Sequence, residues 1–347
     1  MKNTRTMDHK CPACGAPLLY KVKLAKWKCD YCDSTYELKD LKQDKKKEEE
    51  NVSYDHYLCK DCGAEIIADE NTVSTFCPYC GNTAILKNKL SGKFAPDKLI
   101  PFKVEKEDAI KAFKALKKGR PLLPKEFISE NNIEKITGLY VPFWLYDINY
   151  DGNVLAKATK VTSWTSGNVH YTKTDTYSLE RDLTVDYHLI PVDGSIKFAD
   201  DIMNTIEPYD YKELVDYNHA YLSGFLAEKY DVEKETAYEI AKKRAFNSTI
   251  SEAKSSMRGY STVNITSNTL KDTLKDTNYA LLPVFMVNVK YKNKYYLFGM
   301  NGQTGEFVGN MPVDKLKAVI YTLSIFIIVM GLVILISYLI GGRVWKS

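Results

Sequence analysis

The hydrophobic and polar positions of the chain divide it into regions of different character, and the last region is the most uniform. Residues 318–340 form a run of 23 residues without a charged side chain. A helix over this run would be roughly 35 Å long at about 1.5 Å per residue, which is enough to cross the hydrocarbon layer of a membrane. A buried core helix of this length rarely lacks a polar face. The pattern therefore predicts one C-terminal transmembrane helix.

Alternation of apolar and polar residues dominates the region before this helix, at residues 97–312. The pattern predicts strands over 139–149 and 154–162, and Asp151-Gly152 between them is typical of a hairpin turn. Further strands are expected over 172–190, 260–266, 280–291 and 295–300, and helices over 107–118, 199–220 and 232–257. We therefore expect one α+β domain rich in antiparallel strands.

All eight cysteines lie in four CxxC pairs before residue 81. The first set is Cys11, Cys14, Cys29 and Cys32, and the second set is Cys59, Cys62, Cys77 and Cys80. In each set 14 residues separate the two pairs, and the second set begins 48 residues after the first. Four thiolates close a tetrahedron around Zn²⁺ at about 2.3 Å. The spacing predicts two structural Zn²⁺ sites in two small zinc ribbons, residues 8–38 and 56–87, joined as independent units by a charged linker at 39–55.

The residues after the CxxC pairs support tight turns around a metal. Gly15, Gly63 and Gly81 follow three of the pairs, and glycine tolerates the positive φ that such a turn requires. Asp33 follows the fourth pair, and Asp is among the residues that adopt this conformation most readily after glycine. Strands are expected beside the turns, over residues 17–22 and 64–68.

Other uses of the cysteines fit the pattern less well. Disulfides need an oxidising compartment, a redox CxxC needs a βαβ context, and iron–sulfur proteins use other spacings. A catalytic zinc keeps one coordination position open, whereas each set here offers four thiolates. His9 and His56 precede the two sets, but with four thiolates available we interpret them as bystanders.

Composition weighs against a strong nucleic-acid binder, because the formal net charge is only +4 for 347 residues. The first ribbon carries a basic and aromatic set, which is Lys10, Lys21, Lys23, Lys26, Lys28, Tyr20, Trp27 and Tyr31. Acidic residues interrupt the set, and lysines near a zinc tetrathiolate also offset its negative charge. Charge balance is therefore the preferred interpretation of these lysines, and a nucleic-acid surface is the alternative.

Residues 97–312 contain no recognisable catalytic motif. The sequence lacks a GxGxxG after a strand, a Walker loop, a GxSxG and an HExxH. His170, His188 and His219 are scattered, and a lone histidine in a strand is more often structural than catalytic. We expect a protein that is not an enzyme, with an unfamiliar active site in this region as a further alternative.

The location of the protein follows from the cysteines. Lys315 and Lys317 flank one end of the apolar run, and Arg343 and Lys346 flank the other, so flanking charge does not decide the orientation. Thiols that bind metal need a reducing compartment, and the first ten residues lack the apolar core of a signal peptide. We expect a single-pass protein of the cell membrane, with its N-terminal bulk in the cytoplasm and a short tail outside.

The twin sets CPACG…CDYC and CKDCG…CPYCG, the segment ALLPVFMVNVKYKNKYYLFGMNGQTGEFVGNMP and the closing apolar helix together resemble one bacterial family. This is the YdjG-like family of zinc-ribbon membrane proteins. The resemblance implies a gene beside a phage-shock PspA homologue and a protein with an SPFH-type domain. It further implies a membrane anchor that recruits stress-response proteins, with PspA-like and SPFH-type proteins as partners.

These observations predict a membrane-anchored zinc-ribbon adaptor that recruits cytoplasmic proteins to the bilayer. A tether confines the other surfaces of the chain near the membrane and raises the effective concentration for a partner there. The alternative is a membrane-tethered zinc-ribbon protein that binds nucleic acid or is linked to transcription; its binding would depend strongly on salt.

Overall fold

The computed structural model describes residues 4–7, 10–41, 56–58, 65–67, 72–76, 83–86, 94–116, 118–124, 127, 136–196, 200–291, 294–309 and 311–344. The first strands are β1 (Thr4–Met7), β2 (Leu18–Lys21), β3 (Lys26–Cys29), β4 (Thr35–Tyr36), β5 (His56–Leu58), β6 (Glu65–Ile67), β7 (Thr72–Phe76), β8 (Thr83–Leu86) and β9 (Lys98–Leu99). The later strands are β10 (Thr137–Ser166), β11 (Val169–Asp193), β12 (Val215–Asp216), β13 (Leu226–Glu228), β14 (Thr262–Asn268), β15 (Lys271–Tyr291), β16 (Lys294–Asn301) and β17 (Phe307–Val308). The α-helices are α1 (Lys106–Ala115), α2 (Asp200–Thr205), α3 (Lys234–Ser256) and α4 (Lys315–Val344).

A mostly antiparallel sheet forms the body of the molecule around β10. One edge of β10 pairs first with β13 and then with β11. The other edge pairs first with β15 and then with β14. Strands β16 and β17 continue the sheet beyond β15. The expected α+β architecture, rich in antiparallel strands, is confirmed.

The first half of β10 is buried on both faces, as its continuous apolar sequence suggests. Val141 and Phe143 on one face pack with Ile202 of α2, while Tyr140 and Trp144 on the other face belong to the larger core of the body. A strand covered on both sides has no solvent face and therefore needs no polar alternation. After Tyr150 the strand alternates, because only one of its faces remains covered.

The predicted hairpin at Asp151-Gly152 is wrong, since β10 runs through this dipeptide without turning. The turn lies at the end of β10, where Ser166 pairs with Val169 of β11. Gly152 instead allows the backbone at Thr269 to pack closely against β10: a Cβ at position 152 would lie 2.7 Å from the carbonyl oxygen of Thr269. Its φ of +146° is also one that residues with side chains rarely adopt.

Helix α3 confirms the predicted helix over 232–257. Its buried stripe consists of small residues, which are Ala237, Ala241, Ala245, Thr249 and Ala253. Small side chains let the helix lie close to β10 and β11, and two tyrosines of β10 then reach its backbone. Tyr146 Oη donates to the Lys234 carbonyl at 2.5 Å, and Tyr150 Oη donates to the Lys242 carbonyl at 2.9 Å.

The predicted helix over 199–220 is wrong beyond its first turns. Helix α2 ends at Thr205, and the chain continues through Pro208, short 3₁₀ turns and strand β12. Proline disfavours helical backbone at the residue before it and donates no N–H, which explains the early end. The other helical prediction, over 107–118, corresponds to α1.

The first cysteine-rich segment, residues 10–41 and hereafter the first cysteine unit, packs on the body. Trp27 is 2% exposed, and its indole N–H donates to the Ala220 carbonyl at 2.9 Å. The rings of Tyr20 and Trp27 both pack against Tyr221, with centroids 5.2 and 5.1 Å away. The expected independence of this unit is therefore wrong: its aromatic residues complete the core of the body.

Helix α4 is the C-terminal helix that the uncharged run predicted. Among the described residues, α4 is the one helix that is both long enough and apolar enough to cross a membrane. No residue of its apolar stretch is buried against the described protein. Two contacts hold its first turn to the body. The Asp314 N–H donates to the Leu122 carbonyl at 2.9 Å, and Lys317 Nζ donates to the Leu123 carbonyl at 2.8 Å.

Candidate metal centre

Three short strands position the first set of cysteines. Strand β3 pairs with β2 on one side and β4 on the other. Cys29 ends β3, opposite Leu18 of β2, and the turn containing Cys32 connects β3 to β4. Cys11 and Cys14 lie in the turn before β2. The strand pairing therefore brings the two CxxC turns to the same end of this small sheet.

The four sulfur atoms form one cluster. Cys11 Sγ lies 3.5 Å from Cys32 Sγ, and Cys14 Sγ lies 3.5 Å from Cys29 Sγ. All four sulfurs lie within 4.8 Å of one another. Sulfurs at about 2.3 Å from a central Zn²⁺ would stand about 3.8 Å apart, so the cluster has nearly the dimensions of a metal tetrathiolate.

The two CxxC turns have the backbone conformation that the sequence predicted. Gly15 has a φ of +77°, and Asp33, at the corresponding position of the second turn, has a φ of +59°. The Gly15 N–H donates to the Cys11 carbonyl at 2.8 Å, which closes the first turn. A residue with positive φ after each CxxC therefore serves both turns, with aspartate replacing glycine in the second.

Two hydroxyl groups contact the cluster, and the sequence analysis missed both. Tyr36 Oη lies 3.3 Å from Cys11 Sγ, and Ser34 Oγ lies 3.3 Å from Cys32 Sγ. Hydroxyls beside metal-binding sulfurs donate hydrogen bonds that stabilise the thiolate form. The only available signal was their position two and four residues after Cys32, which by itself does not distinguish them from other strand residues.

The environment lowers the pKa of two thiols and raises the pKa of a third: the Ser34 hydroxyl lowers the pKa of Cys32, and Cys11 and Cys14 shift in opposite directions. Burial by itself raises the pKa of Cys11, but hydrogen bonds from Tyr36 and from the backbone of its own turn outweigh burial and lower the pKa to about 6. The pKa of Cys14 is raised to about 12: a backbone hydrogen bond lowers it, but burial and the other three sulfurs raise it more. Four thiols this close cannot all ionise unless a cation compensates their charge.

The donor set therefore fits a single metal ion. Cys11, Cys14, Cys29 and Cys32 are free thiols, and they lie close enough to bind one metal together. Four sulfur donors leave no coordination position for water or substrate, so the arrangement suits a structural centre. The second set, Cys59, Cys62, Cys77 and Cys80, lies outside the described residues, as does His9.

Lysines around the centre form ion pairs with the acidic residues that interrupt them in sequence. Within the first cysteine unit the pairs are Lys21–Asp30 at 3.0 Å, Lys26–Glu37 at 3.3 Å and Lys28–Asp33 at 2.7 Å. Lys23 pairs instead with Glu105 of the body at 2.6 Å. These four lysines are thus paired with carboxylates in the folded chain. Of the three aromatic residues considered for nucleic acid, Tyr20 and Trp27 are buried and only Tyr31 is exposed.

The histidines of the body do not gather into a second site. His188 Nδ1 lies 3.2 Å from Asp147 Oδ2, and His170 Nδ1 lies 3.0 Å from the Thr165 hydroxyl. Both histidines are exposed on separate parts of β11. Among the residues that the structure describes, the four cysteines are the one group of His, Cys, Asp or Glu side chains that lie close enough together to bind a metal ion.

Comparison with known proteins gives a family for the chain. No protein-family profile matches it, and no solved structure matches it. The uncharacterized protein YdjG of Bacillus subtilis (strain 168) is 40% identical over 233 residues, which cover 67% of this chain and 68% of YdjG. Identity at this level over two thirds of both proteins indicates common descent and a shared fold. This chain, with its cysteine cluster, strand-rich body and C-terminal apolar helix, belongs to the YdjG-like family.

Proposed function

We propose that this protein is a membrane-anchored zinc-ribbon adaptor that recruits cytoplasmic proteins to the membrane. Helix α4 is the anchor, the two cysteine sets are structural zinc ribbons, and the surfaces of the ribbons and the body bind partners. The observation that carries the proposal is the uncovered α4. An apolar helix of this length, with none of the described residues packed over it, favours a lipid environment.

Zinc is the metal that suits the described centre best. Four sulfur donors in near-tetrahedral positions favour Zn²⁺ or an iron–sulfur cluster, and the paired CxxC spacing favours zinc. The second set repeats the spacing of the first, so we propose a second structural Zn²⁺ held by Cys59, Cys62, Cys77 and Cys80. Neither centre has an open position, which supports a binding protein rather than an enzyme.

The proposed orientation places the bulk of the chain in the cytoplasm. Thiols such as Cys11 and Cys29 stay reduced and able to bind metal in a reducing compartment. Partners would then be cytoplasmic proteins concentrated at the bilayer, and the family resemblance suggests PspA-like and SPFH-type proteins of a membrane-stress response. The ion pairing of the lysines supports protein partners over nucleic acid, since paired lysines are less available to phosphates.

A pull-down with a matched ribbon variant tests the adaptor role. The full chain is purified from detergent-solubilised, nuclease-treated membranes beside a Cys59→Ser, Cys77→Ser double variant, with Tyr31→Ala as a control that leaves all eight cysteines in place. We expect one or more proteins to co-purify with the wild type and the control, and to be lost with the double variant. If only nucleic acid is retained when nuclease is omitted, the adaptor proposal fails and the nucleic-acid alternative replaces it.

A further inference from the structure

A basic segment without acidic residues lies next to the start of α4. Residues 109–124 hold five basic side chains and no aspartate or glutamate. Four of the basic side chains are described and exposed: Lys111, Lys114, Lys118 and Arg120. In the sequence this segment is almost 200 residues away from the apolar run. The fold therefore decides whether the two features act together.

Specific contacts hold the basic segment to the first turn of α4. Leu122 and Leu123 accept the two hydrogen bonds from Asp314 and Lys317 that attach this turn to the body. Arg120 also donates to the sulfur of Met311 at 3.0 Å, four residues before the first residue of α4. The carbonyls of the segment and the beginning of the apolar helix are thus in direct contact.

Helix α1, which carries the first basic residues, is fixed to the same region. The ring of Phe113 packs against Phe307 of β17 at a centroid distance of 5.8 Å. Phe113 is completely buried, so its helix neighbours at positions 111 and 114 are turned away from the core and are exposed. The basic collar is hereafter the four exposed cations of this segment together with the two lysines of the first turn of α4: Lys111, Lys114, Lys118, Arg120, Lys315 and Lys317.

Few carboxylates offset the charge of this collar. Asp108 pairs with Lys111 at 3.0 Å and is shared with Lys23. Asp314 accepts the Leu316 N–H at 3.1 Å and so is occupied at the N-terminus of α4. In the part of the chain that the structure describes, Lys114 and Lys118 have no carboxylate within ion-pairing distance. Even with Glu107, Asp108 and Asp314 counted against its six cations, the collar keeps a net positive charge beside the helix that would enter the bilayer.

Exposed apolar side chains accompany the cations. Val313 is 57% exposed and Leu316 is 71% exposed, and both lie at the start of α4. A surface that combines long cationic side chains with exposed aliphatic groups suits the boundary between phospholipid headgroups and acyl chains. Anionic lipids of the cytoplasmic leaflet attract such juxtamembrane cations electrostatically.

We propose that the basic collar binds the anionic phospholipid headgroups of the leaflet that α4 enters. The body then contacts the membrane surface through α1 and the 118–124 segment, in addition to its attachment through α4. This inference rests on the proposed membrane anchoring by α4. It also agrees with the proposed cytoplasmic orientation of the body, because the cytoplasmic leaflet is the one that carries anionic lipids.

Hydrogen exchange of the full chain in lipid nanodiscs tests the inference. One nanodisc contains phosphatidylcholine alone, and the other contains phosphatidylcholine with phosphatidylglycerol. We expect amides of residues 106–124 to exchange several-fold more slowly in the anionic nanodisc at low salt, and high salt to remove the difference. The variant Lys111→Gln, Lys114→Gln, Lys118→Gln, Arg120→Gln should lose the difference while keeping its exchange rates in phosphatidylcholine.

A control variant removes the same charge elsewhere. Lys157→Gln, Lys160→Gln, Lys243→Gln and Lys254→Gln change exposed lysines on β10 and α3. This variant should keep the lipid-dependent protection of the wild type. Equal exchange in the two lipids, or equal loss in both variants, would overturn the collar proposal. A wild-type chain that does not enter nanodiscs of either composition would instead overturn the membrane anchoring itself.

Discussion

Trp27 and Ala220 are 193 residues apart in sequence, and the indole N–H of the first donates to the carbonyl of the second at 2.9 Å. The contact joins the first cysteine unit to the body. The rings of Trp27, Tyr20 and Tyr221 all contact one another beside it, and the Tyr20 N–H donates to the Ser223 carbonyl at 3.3 Å. The unit that carries the four-cysteine cluster is therefore packed against the body of the protein.

The first prediction concerns this surface. Trp27→Ala should destabilise the chain by about 3–5 kcal/mol, because it removes a fully buried aromatic ring and leaves a cavity. Trp27→Phe should cost about 1–3 kcal/mol, mainly because the buried Ala220 carbonyl loses its donor. Urea unfolding in detergent, followed by near-ultraviolet circular dichroism, measures both changes.

Tyr31 offers the matched control for Trp27. It lies in the same unit and is 84% exposed, so Tyr31→Ala should change the free energy of unfolding by less than about 0.5 kcal/mol. Equal effects of Trp27→Ala and Tyr31→Ala would show that the first cysteine unit does not pack on the body in solution.

The second prediction concerns metal content. The purified full chain should contain two zinc ions, and the Cys11→Ser, Cys29→Ser variant should contain one. The Cys59→Ser, Cys77→Ser variant should also contain one, because each set supplies a complete group of four ligands. Elemental analysis by mass spectrometry measures the ratio. One zinc ion in the wild type would contradict the second site. Iron together with sulfide would instead identify the centres as iron–sulfur clusters.

The third prediction concerns Gly152. Gly152→Ala should cost at least about 2 kcal/mol, because the new methyl group would lie 2.7 Å from the Thr269 oxygen and the backbone has a φ of +146°. Gly167→Ala is the control, since Gly167 also has a positive φ, +59°, but nothing within 4 Å of its Cβ position. It should cost about 1 kcal/mol from backbone conformation alone. A larger effect at Gly167 would contradict the passage of β10 through Asp151-Gly152.

The fourth prediction concerns pH. Burial raises the pKa of Glu207 to about 7, and Arg244, 3.8 Å away, opposes the shift only in part. The folded state therefore binds a proton more tightly than the unfolded state, so stability falls as pH rises from about 4.5 through 7. Glu207→Gln keeps the size of the side chain and removes its ionisation. Relative to wild type, this variant should be more stable at pH 8 than at pH 5 by about 2 kcal/mol.

Parallel urea titrations of wild type and Glu207→Gln at pH 5 and pH 8 measure this difference. Glu213→Gln serves as a control, because Glu213 is a partly exposed carboxylate paired with Lys103 and Gln303. The free energy of unfolding of Glu213→Gln, relative to wild type, should not increase from pH 5 to pH 8 as that of Glu207→Gln does. A Glu207 variant whose relative stability is the same at both pH values would show that this carboxyl ionises normally in the folded protein.

The fifth prediction concerns the anchor. Deletion of residues 318–347 should move the protein from the membrane to the soluble fraction, because the deletion removes most of the uncovered apolar helix. Protease added to intact cells should leave the cysteine-rich segments uncut in the full-length protein. Membrane association that persists without α4 would assign the anchoring to another surface, and cleavage in intact cells would invert the proposed orientation.

Local sequence patterns predicted the features that depend on neighbouring residues. The spacing of Cys11, Cys14, Cys29 and Cys32 was sufficient to predict one cluster, because a CxxC turn brings two sulfurs together without help from distant residues. Positive φ at Gly15 and Asp33 followed for the same reason. The uncharged run over 318–340 identified α4, since its length and composition suffice for the prediction. The helix over 232–257 was also predicted, because helical periodicity is local.

Only the tertiary structure decided the features that depend on residues far apart in sequence. Asp151-Gly152 is a dipeptide typical of hairpin turns. The strand nevertheless continues through it, because the backbone at Thr269 packs against Gly152. Trp27 lies among lysines and aromatic residues, as an exposed contact to nucleic acid would, but Ala220 and Tyr221 cover it. Lys118 and Arg120 are almost 200 residues from the apolar run in sequence, but the Leu122–Asp314 contact places their segment beside the start of α4. In each case the same local residues permit two structures, and the distant partner that supplies burial or a hydrogen bond selects between them.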